Sequence, residues 1–421
     1  IDDVPDAFFI NYTIGDSIDK SEDFVPSNET VKYANIDDDK GATPKKTTKT
    51  PKSKYVWARQ TINQDSYFHK NLILSKFSSG FLASWYDDRN GQNEVYYQKT
   101  ASTTKSKGGA IRVSNNVSSS NNGKGLSDGS NLYFLWEDSS AIRRTIYLQK
   151  WDLVGNKFSE RVFASTTFAT SKYPDFDWSQ SLGEYGVVWW DSRKSESGLT
   201  GDLFFNRITK TGLKIGNETR VTPASSAEFT PKVVSAGENF GVIWQDGNKK
   251  IKFALIDKNS ALSGSIKEVY TASQSTMPRI AWSGQNFGVV WADKNGDNQD
   301  IYFMLLDKNG NNIGTKLSLT SGVGDAVEPD ILWDSSKFYI SYTKHKPKVS
   351  TASTASGIYV TKVNINRTIS EADKNVSNTT TTKSHSSSLA KNGTTIGIAW
   401  LEDSGGVDKI LGAVEKEVIN N

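Results

Sequence analysis

The sequence predicts an all-β fold, a seven-bladed β-propeller of four-stranded antiparallel blades. Three observations carry that prediction: a short phrase recurs seven times, its spacing stays near 50 residues, and the same strand and turn signals flank each copy. The copies are FLASWYD (Phe81 to Asp87), LYFLWED (Leu132 to Asp138), YGVVWWD (Tyr185 to Asp191), FGVIWQD (Phe240 to Asp246), FGVVWAD (Phe287 to Asp293), FYISYTK (Phe338 to Lys344) and IGIAWLE (Ile396 to Glu402). Their anchors Trp85, Trp136, Trp189, Trp244, Trp291, Tyr342 and Trp400 are separated by 51, 53, 55, 47, 51 and 58 residues. Within a copy the bulky residue, a branched or small residue and the Trp stand two apart, as in Phe287, Val289 and Trp291. A period of two marks a strand with one buried face, and the residues between are apolar enough to bury the other.

The flanks supply the other three strands. Pro174, Pro231, Pro278 and Pro329 stand 13 to 15 residues before four of the anchors, each opening an apolar run. Proline is tolerated at the first residue of a strand, so these read as the starts of first strands. After the anchor comes an apolar pair for the third strand: Val95-Tyr96, Ile146-Tyr147, Leu203-Phe204, Ile301-Tyr302 and Ile358-Tyr359. A turn such as LDKNGNNIG (Leu306 to Gly314) then leads into a short fourth strand such as KLSLT (Lys316 to Thr320), and Asn-Gly is a hairpin signal. The last repeat stops after its third strand, Ile410 to Val414, and runs into a tail. Ala58 to Lys70 aligns with Arg220 to Lys232, a fourth strand leading into a first. The N-terminal strand is therefore expected to complete the last blade and hide an edge.

Residues 1–54 fit no blade. They read as an acidic extension followed by a basic linker, Lys40 to Lys54, and 55–421 read as the propeller. Aromatic residues make up 11% of the 421, too many for a disordered chain, and no apolar run is long enough to span a membrane as a helix. With 50 basic against 47 acidic residues the net charge is +3, which argues against nucleic acid as a partner. There is no cysteine, so thiolate chemistry and disulfides are excluded. The missing cysteines, two methionines and abundant Ser, Thr and Asn fit an exported surface protein, and a start at Ile1 reads as a trimmed product.

The compound pattern Pro-x-φ-x-Trp, φ-x-Val-Val-Trp-x-Asp, Asp-Ile-Tyr and Asp-x-x-Gly-x-x-x-Gly, clearest from Pro278 to Gly314, resembles the repeats of secreted bacterial and archaeal propeller proteins. The resemblance covers roughly residues 56–421 and implies a surface or extracellular protein without specifying an activity. The pattern differs from WD40 repeats, where Trp-Asp closes the third strand; here Trp-x-Asp closes the second. The Ser-x-Asp-x-Gly-x-x-Trp box of sialidases is missing, and Arg279 alone among the first strands could serve in an arginine triad.

Turns after second strands and links into first strands share one face of a propeller, the face on which such folds bind ligands. Asp87, Asp138, Asp191, Asp246, Asp293 and Glu402 should ring that face, most simply as caps on turn N–H groups. Asp87 with Arg89 and Asp191 with Arg193 read as local ion pairs. The interval from anchor to third strand is 10 residues in most repeats, but 14 and 16 where Ser192 to Asp202 and Lys344 to Gly357 are inserted. Insertions on one face mark a binding face. Trp190, outside the repeat pattern, stands beside Asp191 and Arg193 as a platform for a sugar ring, or else packs between blades. His69, His345 and His385 map to the same face and could hold an ion or supply a base beside Tyr67. Asp293, Asn295, Asp297 and Asp300 alternate around a glycine as in a short Ca²⁺ loop, without the distal bidentate Glu. Ca²⁺ is the one cofactor this pattern suggests. No phosphate loop, HExxH or Gly-x-Ser-x-Gly elbow is present.

The expectation is a non-catalytic extracellular or cell-surface propeller that binds a glycan or a surface protein through its insertion-bearing face, with no membrane span. The alternatives are a secreted carbohydrate-active enzyme, a glycoside hydrolase or polysaccharide lyase, and a structural spacer or surface-assembly component attached through its N-terminal segment.

Overall fold

In a computed structural model the described residues are 53–421, without 140–142, 158–161, 166–168, 194–199, 223–227, 275, 322–323, 346–354, 380–381, 404 and 420–421. The N-terminal extension up to residue 52 and most of both insertions therefore lie outside the described residues. Every regular element among them is a β-strand. No helix there is long and apolar enough to cross a membrane.

The first strand is β1 (Ser53–Tyr67). It is followed by β2 (Lys70–Phe77), β3 (Gly80–Asp87), β4 (Glu94–Ala101) and β5 (Ser106–Arg112), an antiparallel sheet in chain order. The same meander recurs in β6 (Ser120–Ser127), β7 (Asn131–Ser139), β8 (Arg144–Asp152) and β9 (Val162–Phe163). It recurs again in β10 (Ser171–Ser179), β11 (Glu184–Asp191), β12 (Asp202–Thr209) and β13 (Lys214–Arg220). Two further copies are β14 (Glu228–Ala236), β15 (Asn239–Asp246), β16 (Lys250–Ile256) with β17 (Lys267–Thr271), and β18 (Arg279–Trp282), β19 (Phe287–Asn295), β20 (Asn298–Leu306) with β21 (Asn312–Ser318). The remaining strands are β22 (Ala326–Trp333), β23 (Lys337–His345), β24 (Ser356–Asn364), β25 (Ile369–Asn375), β26 (Lys383–Asn392), β27 (Thr395–Asp403) and β28 (Asp408–Ile419). With β1 they form an eight-stranded sheet, in which β22–β25 meet β26–β28 through one parallel bridge, Ser356 to Lys383. The fold is thus all-β and propeller-like, built from four-stranded antiparallel units whose first strands neighbour one another in sequence order, with β26 returning to β2.

The repeated phrase is the second strand of each unit, and its burial follows from its composition. Trp85, Trp136, Trp189, Trp244, Trp291 and Trp400 are almost fully buried. Each indole or phenol ring lies over the aromatic of the third strand where one exists: Trp85 on Tyr96 at 6.3 Å, Trp189 on Phe204 at 6.2 Å, Trp291 on Tyr302 at 6.0 Å and Tyr342 on Tyr359 at 6.2 Å. Neighbouring units interlock through a glycine. A β-carbon at Gly186, Gly241, Gly288 or Gly397 would stand 2.5 to 2.7 Å from Phe240, Phe287, Phe338 or Phe81 of the next unit. The last of these contacts joins β27 to β3, the end of the chain to its beginning. Gly397→Val is expected to lower stability by about 1–3 kcal/mol through overpacking, and Phe81→Leu in the same chain to restore part of the loss. Urea denaturation checks this, and an unchanged midpoint for Gly397→Val would count against the interlock.

The prolines fall elsewhere than the sequence suggests. Pro174, Pro231 and Pro329 stand inside β10, β14 and β22, each directly after a residue with left-handed backbone: Tyr173, Thr230 and Glu328, with φ of 53°, 35° and 53°. Asn71, Asn122 and Ser386 hold the same conformation at the equivalent place. Each marks a bulge where the pairing register shifts, so no ladder N–H is demanded of a proline there. Pro278, just ahead of β18, matches the expected position. Beyond the bulges, side chains of adjacent units take up backbone N–H groups: Val233 donates to Asp175 at 2.9 Å, Leu389 to Asp330 at 2.8 Å and Leu74 to Ser388 at 3.0 Å.

β1 pairs with β28 along its length, from Ser53 opposite Ile419 to Tyr67 opposite Asp408. The expected tail after Val414 is therefore strand as far as Ile419, because β1 starts early enough to partner it. The linker expected to run to Lys54 correspondingly ends before Ser53. One fourth strand also starts early. β21 begins at Asn312 because the Asp307 carboxylate caps the N–H groups of Asn309 and Asn311 at 2.8 and 2.9 Å, closing the turn within five residues.

Candidate functional site

The Trp-x-Asp carboxylates are bound by their own chain. Residues two apart in a strand share a face, so the indole N–H reaches the acid: Trp85 to Asp87 at 2.8 Å, Trp136 to Asp138 at 2.9 Å and Trp189 to Asp191 at 3.2 Å. Asp87 also accepts from Arg89 through its backbone N–H at 3.2 Å, Nε at 2.8 Å and Nη2 at 2.6 Å. Asp191 repeats this with Arg193 at 2.9, 2.9 and 2.8 Å. The guanidinium groups then cover third-strand aromatics, Arg89 over Tyr96 at 4.3 Å and Arg193 over Phe204 at 3.9 Å. Burial pushes the Asp191 carboxyl up, but hydrogen bonds from Arg193 and Ser171 outweigh it and hold the group below its usual range. Glu402 accepts instead a single guanidinium bond from Arg59 of β1, at 2.7 Å.

Trp190 is 8% exposed. It packs with Leu203, Val233 and Trp244 between two sheets. Gly201 makes room for it, since a β-carbon there would lie 2.4 Å from the indole. Of the two roles the sequence offers this side chain, the structure places it in the packing one.

Asp293 and Asp300 face each other across β19 and β20. Asp293 accepts from Ser273 Oγ at 2.5 Å and from the N–H groups of Ser273 and Lys294; Asp300 accepts from Thr320 Oγ1 and Asn295 Nδ2, both at 2.7 Å. Asn295 and Asp297 are exposed. The oxygens that would turn toward a cation are thus used to hold the hairpin, and among the described residues no three His, Asp or Glu side chains are arranged to hold a metal ion.

His69 and His385 come close to one acid, Asp408. His385 Nε2 lies 3.3 Å from Asp408 Oδ1, and although burial would lower its pKa, this bond and the Glu328 charge raise it. His69 is 2% exposed, edge-on to Trp85 at 5.6 Å, with Nε2 3.8 Å from Asp87. Neither of its ring nitrogens has a hydrogen-bond partner among the described residues. Burial pulls its pKa down against the attraction of Asp87 and Asp408, so it is neutral near pH 7. His345 ends β23 and donates its backbone N–H to Asp325 O at 2.8 Å.

Beside this group lies a cleft of about 360 Å³ between β1 and the outer strands β4 and β5, lined by Thr61 to Asp65, Arg89, Gln98, Ser106 and Gly108 to Ala110. Asn63 Nδ2 donates to Asp65 and to Gln98 Oε1, both at 3.0 Å, and Gln98 Nε2 donates to Ser106 Oγ at 3.0 Å and Gly108 O at 2.8 Å. Arg89 Nη1 binds Asp65 at 2.8 Å. Burial raises the Asp65 carboxyl, but hydrogen bonds from Asn63 and Arg89 prevail and keep it ionised. Tyr67 and Phe68 are exposed at the end of β1, with the Arg89 guanidinium 4.8 Å from the Tyr67 ring. Of the residues singled out in the sequence, Arg89 lines the cleft, with buried Asp87 bonded to it and His69 3.8 Å from Asp87, whereas Asp191 and Arg193 lie two units away. Asn63, Asp65 and Gln98 were not singled out. Asn63 and Asp65 fall, in the alignment of Ala58 to Lys70 with Arg220 to Lys232, opposite a polar link between strands, and nothing local marks Gln98.

No family model and no curated protein matches the chain. Solved structures of similar course include the N10 neuraminidase-like protein of A/little yellow-shouldered bat/Guatemala/060/2010, at TM-score 0.48 and 9% identity over 86% of this chain and 98% of that one. The Pyrococcus horikoshii acylaminoacyl peptidase gives TM-score 0.49 and 10% identity over 84% and 52%, and Trypanosoma rangeli sialidase 0.43 and 10% over 86% and 59%. Similarities of this degree assign no residue of the chain a role.

Proposed function

We propose that the chain is a seven-bladed β-propeller, displayed outside the cell or on its surface, that binds a glycan without altering it. Dividing the eight-stranded sheet at its single bridge leaves seven four-stranded units, and the return of β26 to β2 supports a closed ring of them. The cleft beside β1 is the observation that carries the binding reading. Its volume falls within the range of roughly 300–1,000 Å³ common to small-ligand sites. Its lining combines side-chain amides, the hydroxyl residues Thr61 and Ser106 and one ion pair with Ile62 and Ala110, a mixture suited to sugar hydroxyls and the apolar face of a pyranose. Glycoside hydrolysis calls for two carboxyl groups flanking the bond, one of them protonated. Among the described residues Asp65 is the single carboxyl group lining the cleft, and Arg89 keeps it ionised. The turn bearing Arg89 belongs to the same class as the two insertions, so a longer glycan, free or carried on a surface protein, would extend across that face.

A glycan array followed by titration of the best neutral ligand tests this. Arg89→Met is expected to weaken binding about tenfold, the order of one hydrogen bond to a charged group, while Trp190→Phe leaves affinity unchanged. Parent affinity in Arg89→Met would place the ligand elsewhere, and release of reducing ends would convert the reading to a hydrolase.

A further inference from the structure

In three units a serine pairs directly with the acid that closes the second strand: Ser120 with Asp138, Ser171 with Asp191 and Ser384 with Glu402. Ser120 and Ser171 donate their hydroxyls to that acid at 2.5 and 2.8 Å. In the first unit Lys70 pairs with Tyr86, so the corresponding place, one residue earlier and beside Asp87, belongs to His69. A donor that is always present is replaced there by one that gains and loses a proton.

The His69 side chain is wholly buried, and its Nε2 stands 3.8 Å from Asp87 Oδ2, too far for a hydrogen bond. Neither ring nitrogen has a partner among the described residues. Asp87, meanwhile, has its roughly four acceptor positions filled. Trp85 Nε1 and Arg89 Nη2 bind one oxygen at 2.8 and 2.6 Å, and Arg89 Nε and N bind the other at 2.8 and 3.2 Å. Nη1 of the same guanidinium holds Asp65 of the cleft at 2.8 Å. The third unit shows what a further donor does. Where Ser171 joins Asp191 Oδ2, the indole and guanidinium donors stand at 3.2 and 2.8 Å, longer than the corresponding bonds to Asp87. An imidazolium adds to such crowding a positive charge beside Arg89. The charges around His69 are Asp87 of β3, Asp65 of β1 and Asp408 of β28, which attract its proton, and Arg89, which repels it. His385 of β26 is bonded to Asp408 at 3.3 Å. Burial prevails at His69, so it takes its proton below the usual 6.5, whereas His385, bonded to Asp408, takes one above it.

We propose that His69 is a proton-operated release for Arg89: on acidification the imidazolium takes Asp87, the guanidinium fork loosens, and the cleft beside β1 weakens its hold on a neutral glycan. The last step rests on the glycan reading, and the first two do not. The full chain, labelled in its histidine rings and arginine side chains, is followed by NMR from pH 8 to pH 5. The Arg89 Nε–H signal is identified by its loss in Arg89→Met, and the His69 ring by its loss in His69→Phe. His69 is expected to titrate below pH 6.5, and the Arg89 signal to move with the same midpoint. His69→Phe keeps a ring against Trp85 but carries no proton, so it is expected to abolish the Arg89 movement, whereas His385→Gln retains it. Calorimetry with the neutral glycan ranked first by the array is expected to give about tenfold weaker affinity at pH 5 than at pH 7.5, the loss expected of Arg89→Met. In His69→Phe the two affinities are expected to be equal. The release is overturned if His69 stays neutral down to pH 5, if the Arg89 signal holds still while His69 titrates, or if it moves equally in His69→Phe. Equal parent affinity at the two pH values overturns the last step. An array on which no glycan binds removes the cleft reading and leaves the Arg89 signal to decide the release.

Discussion

Deleting residues 1–67 is expected to abolish the cooperative melt of the folded chain, whereas deleting 1–52 leaves its Tm unchanged. β1 is a full strand paired with β28 over its length, and its removal exposes the edge of a long strand. Ile62, 2% exposed, leaves a cluster with Leu72, Phe81, Trp85 and Ile410, a loss of roughly 1.5–3 kcal/mol by itself. Arg59 leaves Glu402 buried without its partner, and Trp57 is stripped from Trp400 and Leu411. Together these amount to on the order of 5 kcal/mol, comparable with the whole stability of many folded domains. The contacts also join the last unit to the first, because Leu72, Phe81 and Trp85 belong to β2 and β3. Scanning calorimetry of the two truncations decides it, and equal melting temperatures would refute the role of β1 as the strand that closes the fold.

That role was legible in the sequence because strand partners in a meander are separated by a constant interval, and a missing fourth strand at one end matches a spare one at the other. The second and third strands were legible for the same reason: Trp291 and Tyr302 must each present a large ring to one face, and period two records it. What period two does not record is a bulge. Tyr173, Thr230 and Glu328 look like ordinary strand residues, and only the proline after each betrays the break in the ladder. Sites made between units were the least legible. Asn63 and Gln98 meet at 3.0 Å although 35 residues apart, and nothing local in either segment announces the other. Trp190 looks available because it departs from the repeat, yet its burial is decided by Gly201 and by Val233 on the next unit. In DKNGDNQD the oxygen ligands are spaced as a cation would want them. The hairpin register sets Asp293 opposite Asp300, and neighbouring Ser273, Thr320 and Asn295 take up their oxygens.

Lys232→Met is expected to stabilise the chain at pH 7 by about 2 kcal/mol, a gain that shrinks as the pH rises from 8 toward 10. Burial is the main reason, pulling the Lys232 amine from 10.5 down to about 8 against the attraction of Asp175. In the unfolded chain the amine keeps its proton up to about pH 10.5, so between 8 and 10.5 the unfolded state binds more protons and stability climbs with pH. Below pH 8 both states are protonated, and the native state bears the full unfavourable term of an enclosed charge. The interval from 8 to 10.5 corresponds to roughly 3 kcal/mol, reduced to about 2 by the part of the side chain that remains accessible. Methionine fills similar volume without the charge, so urea denaturation of parent and variant at pH 7 and pH 9.5 should give a large difference at the first and a small one at the second. Were Lys232→Met instead less stable at pH 7, the attraction of Asp175 and Asp330 would outweigh burial, and Lys232 would belong to the scaffold that holds the first strands together.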